Sequence, residues 1–381
     1  MELKIDGIQC VPLCDESLLQ IINRLGLDGD KLSEKPLAAK IAGEVFNLNY
    51  IPVRKSDAVT DRPSIRAAMA ASNGTVHLIK ISDPAGREVY IRTAQFVVFL
   101  ALSQLWPKAK ASMDCTLGPA LYIHVENEPD FSVEKLKEQI QKIVDQDIPL
   151  IRKRISKEDA VKLFAAQGRE DQTRLLQWRD APYFDLYSYG DFADYHYGEL
   201  APSTGYLQVW DVIPIDGGFL FVFPDELDAD KPGQYESMPN FFSVCAEGER
   251  WGQLMQCKTV ADLNEMTLSG KLRELIRVNE ALHEKRYAQV ADMICDRGCK
   301  AVMLAGPSSS GKTTSANRLA TQLRVHGKKP ILMSLDDYYI DRDKCPVGPD
   351  GKLDLEHINT IDTILFGVYL QRLLYGETVQ I

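Results

Sequence analysis

The sequence predicts a multidomain chain, α+β through most of its length and α/β at its end. Three observations carry that expectation. Residues 1–55 alternate strand-like and helix-like runs in the way of a small β-grasp fold. Residues 64–235 mix helical and two-residue periodicities. Residues 300–327 read as a strand, a glycine-rich loop and a helix. The chain has 381 residues, which at roughly 100–200 residues per domain gives about two to four domains. An apolar content of 45% and a charged content of 26% exclude a disordered or fibrous chain.

In the first part, Leu3, Ile5 and Ile8 begin an extended run. Leu18, Ile21, Ile22 and Leu25 then fall at helical spacing, and a turn is expected at Ala42-Gly43. In the second part, Phe96, Val97, Leu100, Ala101 and Leu105 form a helix pattern ending before Pro107. Ser132 caps a second pattern whose Leu136, Ile140, Ile143 and Val144 share one face. Ser156, with Asp159 three residues on, caps a third. Residues 151–157 (IRKRISK) hold the only basic cluster, read as a solvated loop. A polar stretch after residue 223 opens a helical connector over 236–297.

The formal net charge of −10 argues against a broad basic face for duplex nucleic acid, though a local patch stays open. No apolar run reaches the ~18 residues that span a bilayer, and the first residues do not read as a secretory signal. A cytoplasmic chain without a membrane partner is therefore expected. The eight cysteines are scattered, without the spacing of a zinc set, and read as reduced structural residues.

One motif carries chemistry. Residues 300–305 (KAVMLA) run into Gly306-Pro307-Ser308-Ser309-Ser310-Gly311-Lys312-Thr313-Thr314, which is G-x-x-x-x-G-K-[ST], followed by a helix pattern ended by Gly327. Such a loop points backbone N–H groups at phosphate oxygens, and the helix N-terminus adds partial positive charge. Lys312 suits the β/γ-phosphates and the Thr313 hydroxyl suits Mg²⁺, so ATP and Mg²⁺ are the expected cofactors. A second expected strand, residues 330–334 (PILMS), leads to Asp336 and Asp337. There a carboxylate either takes a proton from an attacking hydroxyl or caps the next turn.

The segments GPSSSGKTT, SLDDYY and LDLEHINTID together resemble the phosphoribulokinase/uridine kinase family. That resemblance implies an ATP-dependent nucleoside kinase. Asp336 matches its catalytic base, acting with Lys312, while Tyr339 packs near the nucleoside and Glu356 binds ribose hydroxyls. Glu356 stands where the family has Asp, and Ile358 where it has Pro. Only the beginning of such a kinase sheet fits into residues 298–381, so a fragment, inactive by itself as a kinase, is expected.

The upstream part resembles the editing half of threonyl-tRNA synthetases. Residues 1–57 are similar to its TGS domain through LAAKIAGEVFNLNYIPV. Residues 64–235 are similar to its second domain through LSQLWPKAK, KIVDQDIPLIRKRISKEDAVKLFAAQG and GDFADYHYGELAPSTG. The family's deacylase site is an H-x-x-x-H helix with a later Cys and His. Here those positions hold Arg92, Phe96, His196 and Leu200. The resemblance thus implies a silent editing site, with His196 a satisfied polar residue. A second expectation from another class follows: a nucleotide-sensing, RNA- or tRNA-associated regulatory protein without kinase activity.

Overall fold

The computed structural model describes residues 2–52, 71–126, 128–307, 309–348 and 351–380. They form two compact units, Met1–Glu265 and Met266–Ile381.

The first unit opens with β1 (Leu3–Ile5), β2 (Ile8–Cys10), helix α1 (Leu18–Leu25), β3 (Ala38–Ile41) and β4 (Glu44–Phe46). Asp6 and Gly7 both have positive φ (44° and 92°), the geometry of a tight turn whose twist matches the strands on either side. Ser17 and Gln20 make a reciprocal capping box on α1. Strand β5 (Thr75–Ile79) completes the sheet in the order β2-β1-β5-β3-β4, parallel to β1 and antiparallel to β3. Its central strand thus lies beyond residue 57, and the expected domain boundary between 57 and 64 falls outside the described residues. Leu18, Ile21 and Ile22 of α1 are buried with Leu3, Ile5, Phe46 and Val76 of the sheet.

A four-stranded antiparallel sheet follows, in the order β11-β12-β7-β6. It comprises β6 (Lys110–Leu117), β7 (Ala120–Glu126), β11 (Asp211–Ile215) and β12 (Gly218–Val222). Helices α2 (Pro84–Leu105) and α3 (Val133–Asp145) supply Phe96, Leu100, Leu136 and Ile140 to a core shared with Phe219 and Phe221 of β12. The Ser132 cap forms as the sequence predicts, its Oγ accepting from Lys135 N. A smaller sheet, β10-β9-β8, is built from β8 (Lys153–Ser156), β9 (Tyr183–Tyr189) and β10 (Phe192–Asp194), with helices α4 (Lys157–Ala166) and α5 (Glu170–Gln177) beside it. The basic cluster is therefore no solvated loop. Arg154 of β8 pairs with Asp185 of β9, and Arg152 reaches the same carboxylate. Helices α6 (Pro239–Leu254) and α7 (Val260–Leu268) follow.

The second unit holds α8 (Leu272–Asp296), α9 (Lys312–Val325) and α10 (Thr363–Leu374). The two helices α8 and α9 meet through polar contacts, Tyr287 Oη with Ser315 Oγ at 3.0 Å and Arg318 with Glu284 at 2.8 Å. The expected start of a parallel sheet is corrected here. Residues 301–307 and 330–334 form no strand, and Val302, Met303, Leu304, Ile331 and Leu332 are exposed. A strand exists only through hydrogen bonds to a neighbour. Among the described residues of this unit the only β-pairings are the isolated bridges Tyr339–Ile361 and Val347–Leu353.

Candidate functional site

A cleft of about 470 Å³ opens in the first unit between α2 and the segment after β10, walled in part by Val45 of β4. Of the four positions where the editing resemblance places its catalytic residues, Arg92 and His196 line this cleft, while Phe96 and Leu200 are buried in the core beside it. Arg92 and Phe96 lie one turn apart on α2, and the Phe96 ring meets the His196 ring edge-on at 6.3 Å. Leu200 is buried, with its N–H donating to the Tyr187 hydroxyl at 3.2 Å. Arg92 donates from Nε to the Glu199 carbonyl at 3.1 Å and from Nη1 to the Glu88 carboxylate at 3.1 Å. Gly198 makes that pose possible, because a Cβ there would sit 2.6 Å from the Arg92 Cζ.

Behind Arg92 lies a buried charged network. The Glu199 carboxylate accepts from Arg152 Nη1 at 2.7 Å and from the Tyr187 hydroxyl at 2.9 Å. Arg152 Nη2 and Arg154 Nε donate to Asp185 at 2.7 and 2.8 Å. Burial raises the Glu199 carboxyl above the usual carboxylate value, opposed by the Arg152 charge. Burial pushes Asp185 upward too, but the Arg154 hydrogen bond and the Arg152 charge hold it below the ordinary aspartate value. At the rim, the Arg179 guanidinium lies over the rings of Phe184 (4.4 Å) and Tyr197 (5.8 Å).

Burial lowers the His196 pKa, so its imidazole is neutral near pH 7. The expectation that His196 is satisfied is corrected, since its Nε2 is buried without a hydrogen-bond partner. One imidazole beside a phenyl ring and a tethered guanidinium supplies neither an imidazole pair nor a thiolate for ester attack. The cleft sets Arg92, Arg152 and Arg179 beside Tyr195 and Tyr197 and the carboxylates of Glu88, Asp185 and Glu199, and its guanidinium and aromatic groups suit an anionic, stackable ligand.

In the second unit the residues on either side of Ser308 turn sharply into a helix. Ser309 and Gly311 sit at positive φ (60° and 83°), and Lys312 begins α9. Lys312 Nζ folds back to donate to the carbonyls of Gly306 (2.6 Å) and Pro307 (2.8 Å). Gly306 leaves room for this, because a Cβ would lie 2.8 Å from Ser310 Oγ. Thr313 and Thr314 fall in the first turn of α9, and Ser308 lies outside the described residues. Asp336 sits in a single 3₁₀ turn that Ser334 caps, the Asp336 N–H donating to Ser334 Oγ at 3.3 Å. Tyr339 is 51% exposed, and the Glu356 N–H donates to Asp354 at 3.2 Å. Among the described residues no hydrogen bond or ion pair joins Asp336, Tyr339 or Glu356 to the loop.

Sequence reasoning missed the Arg152–Glu199–Asp185 network. The basic cluster was its one signal, and the carboxylates it meets lie 33 and 47 positions away.

No family model matches the chain. Curated relatives do. A threonine–tRNA ligase of Syntrophomonas wolfei is 25% identical over 209 residues, covering 53% of this chain and 29% of that protein. One from Carboxydothermus hydrogenoformans is 28% identical over 195 residues, 50% of this chain and 28% of the relative. One from Syntrophotalea carbinolica is 29% identical over 157 residues, 39% and 24% of the two chains. The chain thus spans less than a third of the length of these relatives. The synthetase-like part of the reading stands on these matches, and the mixed and antiparallel sheets agree with it. The nucleoside kinase reading is overturned: the relatives are ligases, and the parallel sheet on which it rested is not formed. No helix among the described residues is long and apolar enough to cross a membrane.

Proposed function

We propose that this chain is a tRNA-associated regulatory protein, which holds the aminoacyl end of a tRNA in the cleft without hydrolysing an ester there. The observation that carries this reading is a cleft that brings Arg92 and His196 together with Arg179 and Tyr197, the Phe96 ring edge-on to His196, without an imidazole pair or thiolate for deacylation. The relatives' name supports tRNA as the partner. With a net charge of −10, binding rests on local arginines, so the contact is confined to the single-stranded end rather than the duplex.

The sheet order with β1 parallel to β5 supports a β-grasp, TGS-like reading of the first strands, with β5 included. The loop at Gly306–Thr314 is read as a nucleotide sensor. Lys312 would meet the β/γ-phosphates of ATP and the Thr313 hydroxyl would serve Mg²⁺, with Ser309, Ser310, Gly311 and Thr314 lining the cradle. The alternating positive φ values and the room at Gly306 fit that group.

Filter binding of a tRNA across a salt series tests the first part. The expected result is saturable binding weakened about tenfold by Arg179→Ala, a loss of about 1.4 kcal/mol, and no deacylation of seryl-tRNA above background. Absence of binding, or hydrolysis that disappears in His196→Ala, would overturn it.

A further inference from the structure

Away from the cleft, β7 and α6 bring together His124, Glu126 and Glu249, whose ligand atoms all lie within 4.8 Å of one another. His124 and Glu126 stand two apart on a strand and so share a face. Glu249 comes from a helix 123 positions further on, so no local spacing in the sequence announces the set. Two of them, His124 and Glu249, border a cavity of about 240 Å³ that Tyr122, Cys245 and Asp216 also line.

The hydrogen bonds around His124 orient it as metal-ligating histidines are oriented. The Tyr122 hydroxyl donates to the Asp216 carbonyl at 3.1 Å, so its oxygen accepts from His124 Nδ1 at 3.2 Å. Its Nε2 lies on the side of the cluster, 3.6 Å from Glu126 Oε1, so the imidazole nitrogen and the carboxylate oxygen are close enough to share one ion. The turn at Gly217 is fitted to the pair, since a Cβ there would lie 2.8 Å from the Tyr122 oxygen and 3.0 Å from His124 Nδ1.

A cationic group is already drawn to the spot. Lys258 Nζ lies 3.0 Å from Glu249 and 3.8 Å from Glu126. Its side chain is 40% exposed on a flexible stem, so it can leave into solvent. A divalent ion brings twice the charge and, unlike an ammonium, accepts the imidazole lone pair as well as both carboxylates.

We infer that His124, Glu126 and Glu249 form a divalent transition-metal site, with one imidazole nitrogen and two carboxylate oxygens as ligands, and that Lys258 is the competing internal cation. The mixed nitrogen and oxygen donor set suits zinc or a neighbouring first-row ion over calcium or magnesium.

The test titrates the 381-residue chain with Zn²⁺ against a chromogenic chelator, with Co²⁺ as the spectroscopic probe. One equivalent is expected to bind and to raise the melting temperature. His124→Ala and Glu249→Gln should abolish it. Tyr122→Phe, which removes the hydroxyl beside His124 Nδ1 together with its bond to the Asp216 carbonyl, should weaken it by roughly 10–100-fold. Lys258→Met should tighten it, and melting curves of the metal-free variants establish that each is folded. The Co²⁺ form should show visible ligand-field bands without thiolate charge-transfer absorption. Binding that is unchanged in folded Glu249→Gln, a thiolate band that places the metal on cysteines, or no binding even in Lys258→Met would each overturn the inference.

Discussion

The two units differ in what holds them. In Met1–Glu265, the side chains of α2, α3 and β12 interlock in one extended core, with Phe96 and Phe219 both fully buried. In Met266–Ile381, the only described residues that are buried are Ala291, Ala320, Tyr338, Cys345 and Thr360. Yet residues 309–314 of the second unit keep a turn at positive φ, the Lys312 contacts to the Gly306 and Pro307 carbonyls, and the start of α9. Loop geometry of this kind is specified by local residues, glycine and serine at positive φ and a helix start. A sheet is specified by partners distant in sequence, and only the first unit has them.

That contrast is breakable by mutation. The largest effect is expected from Phe219→Ala, which should cost the first unit about 3–5 kcal/mol in urea unfolding. The matching change Met303→Ala in the second unit should move stability by no more than ~0.5 kcal/mol. Equal effects would erase the distinction between the units.

Next comes Arg152→Met, which leaves the buried Glu199 carboxylate without its cation while Asp185 keeps Arg154, at a cost of about 3 kcal/mol or more. Glu199 has a folded-state pKa above its ordinary 4.5, so its share of the penalty belongs to the charged form. That share should shrink as pH falls through the raised value, read as converging unfolding midpoints of variant and parent.

In the second unit, Lys312→Ala removes a charged hydrogen-bond donor worth about 1.5–3 kcal/mol. ATP affinity by calorimetry should fall roughly 10–100-fold, while the melting transition of the first unit stays where it was.

A smaller effect concerns His196, whose pKa burial lowers from 6.5. A depressed histidine contributes stability that is complete above the ordinary value and is lost as pH falls through 6.5 toward the folded-state value. His196→Gln should flatten the stability profile in that window. An unchanged slope would show that the imidazole is not held neutral.

Much of the helical framework was legible. Ser132 and Ser156 cap the helices their spacing announces, and Gly327, at φ 73°, follows α9. Of the four editing positions, Arg92 and His196 line the cleft and Phe96 and Leu200 are buried. What the sequence hid depends on pairing across distance. The apolar runs at 300–305 and 330–334 have strand character but find no ladder. Arg152 looked like surface charge until β9 placed Asp185 beside it. His124, Glu126 and Glu249 are ordinary residues until β7 and α6 meet. The kinase reading rested on short local motifs near the end of the sequence, and the relatives, which are ligases, overturn it.

Two asparagines give the first sheet a meaning beyond its own fold. Asn47 Nδ2 donates to the carbonyls of Leu200 (2.7 Å) and Ala201 (3.3 Å), and Asn49 Nδ2 to those of Pro202 (2.8 Å) and Leu150 (3.4 Å). These carbonyls belong to the strip that carries the cleft's floor. The small sheet is thus a bracket rather than a detachable module. A gene trimmed to begin after it would encode a cleft whose floor has lost its clamps, so rearrangements that preserve the cleft must inherit both pieces together.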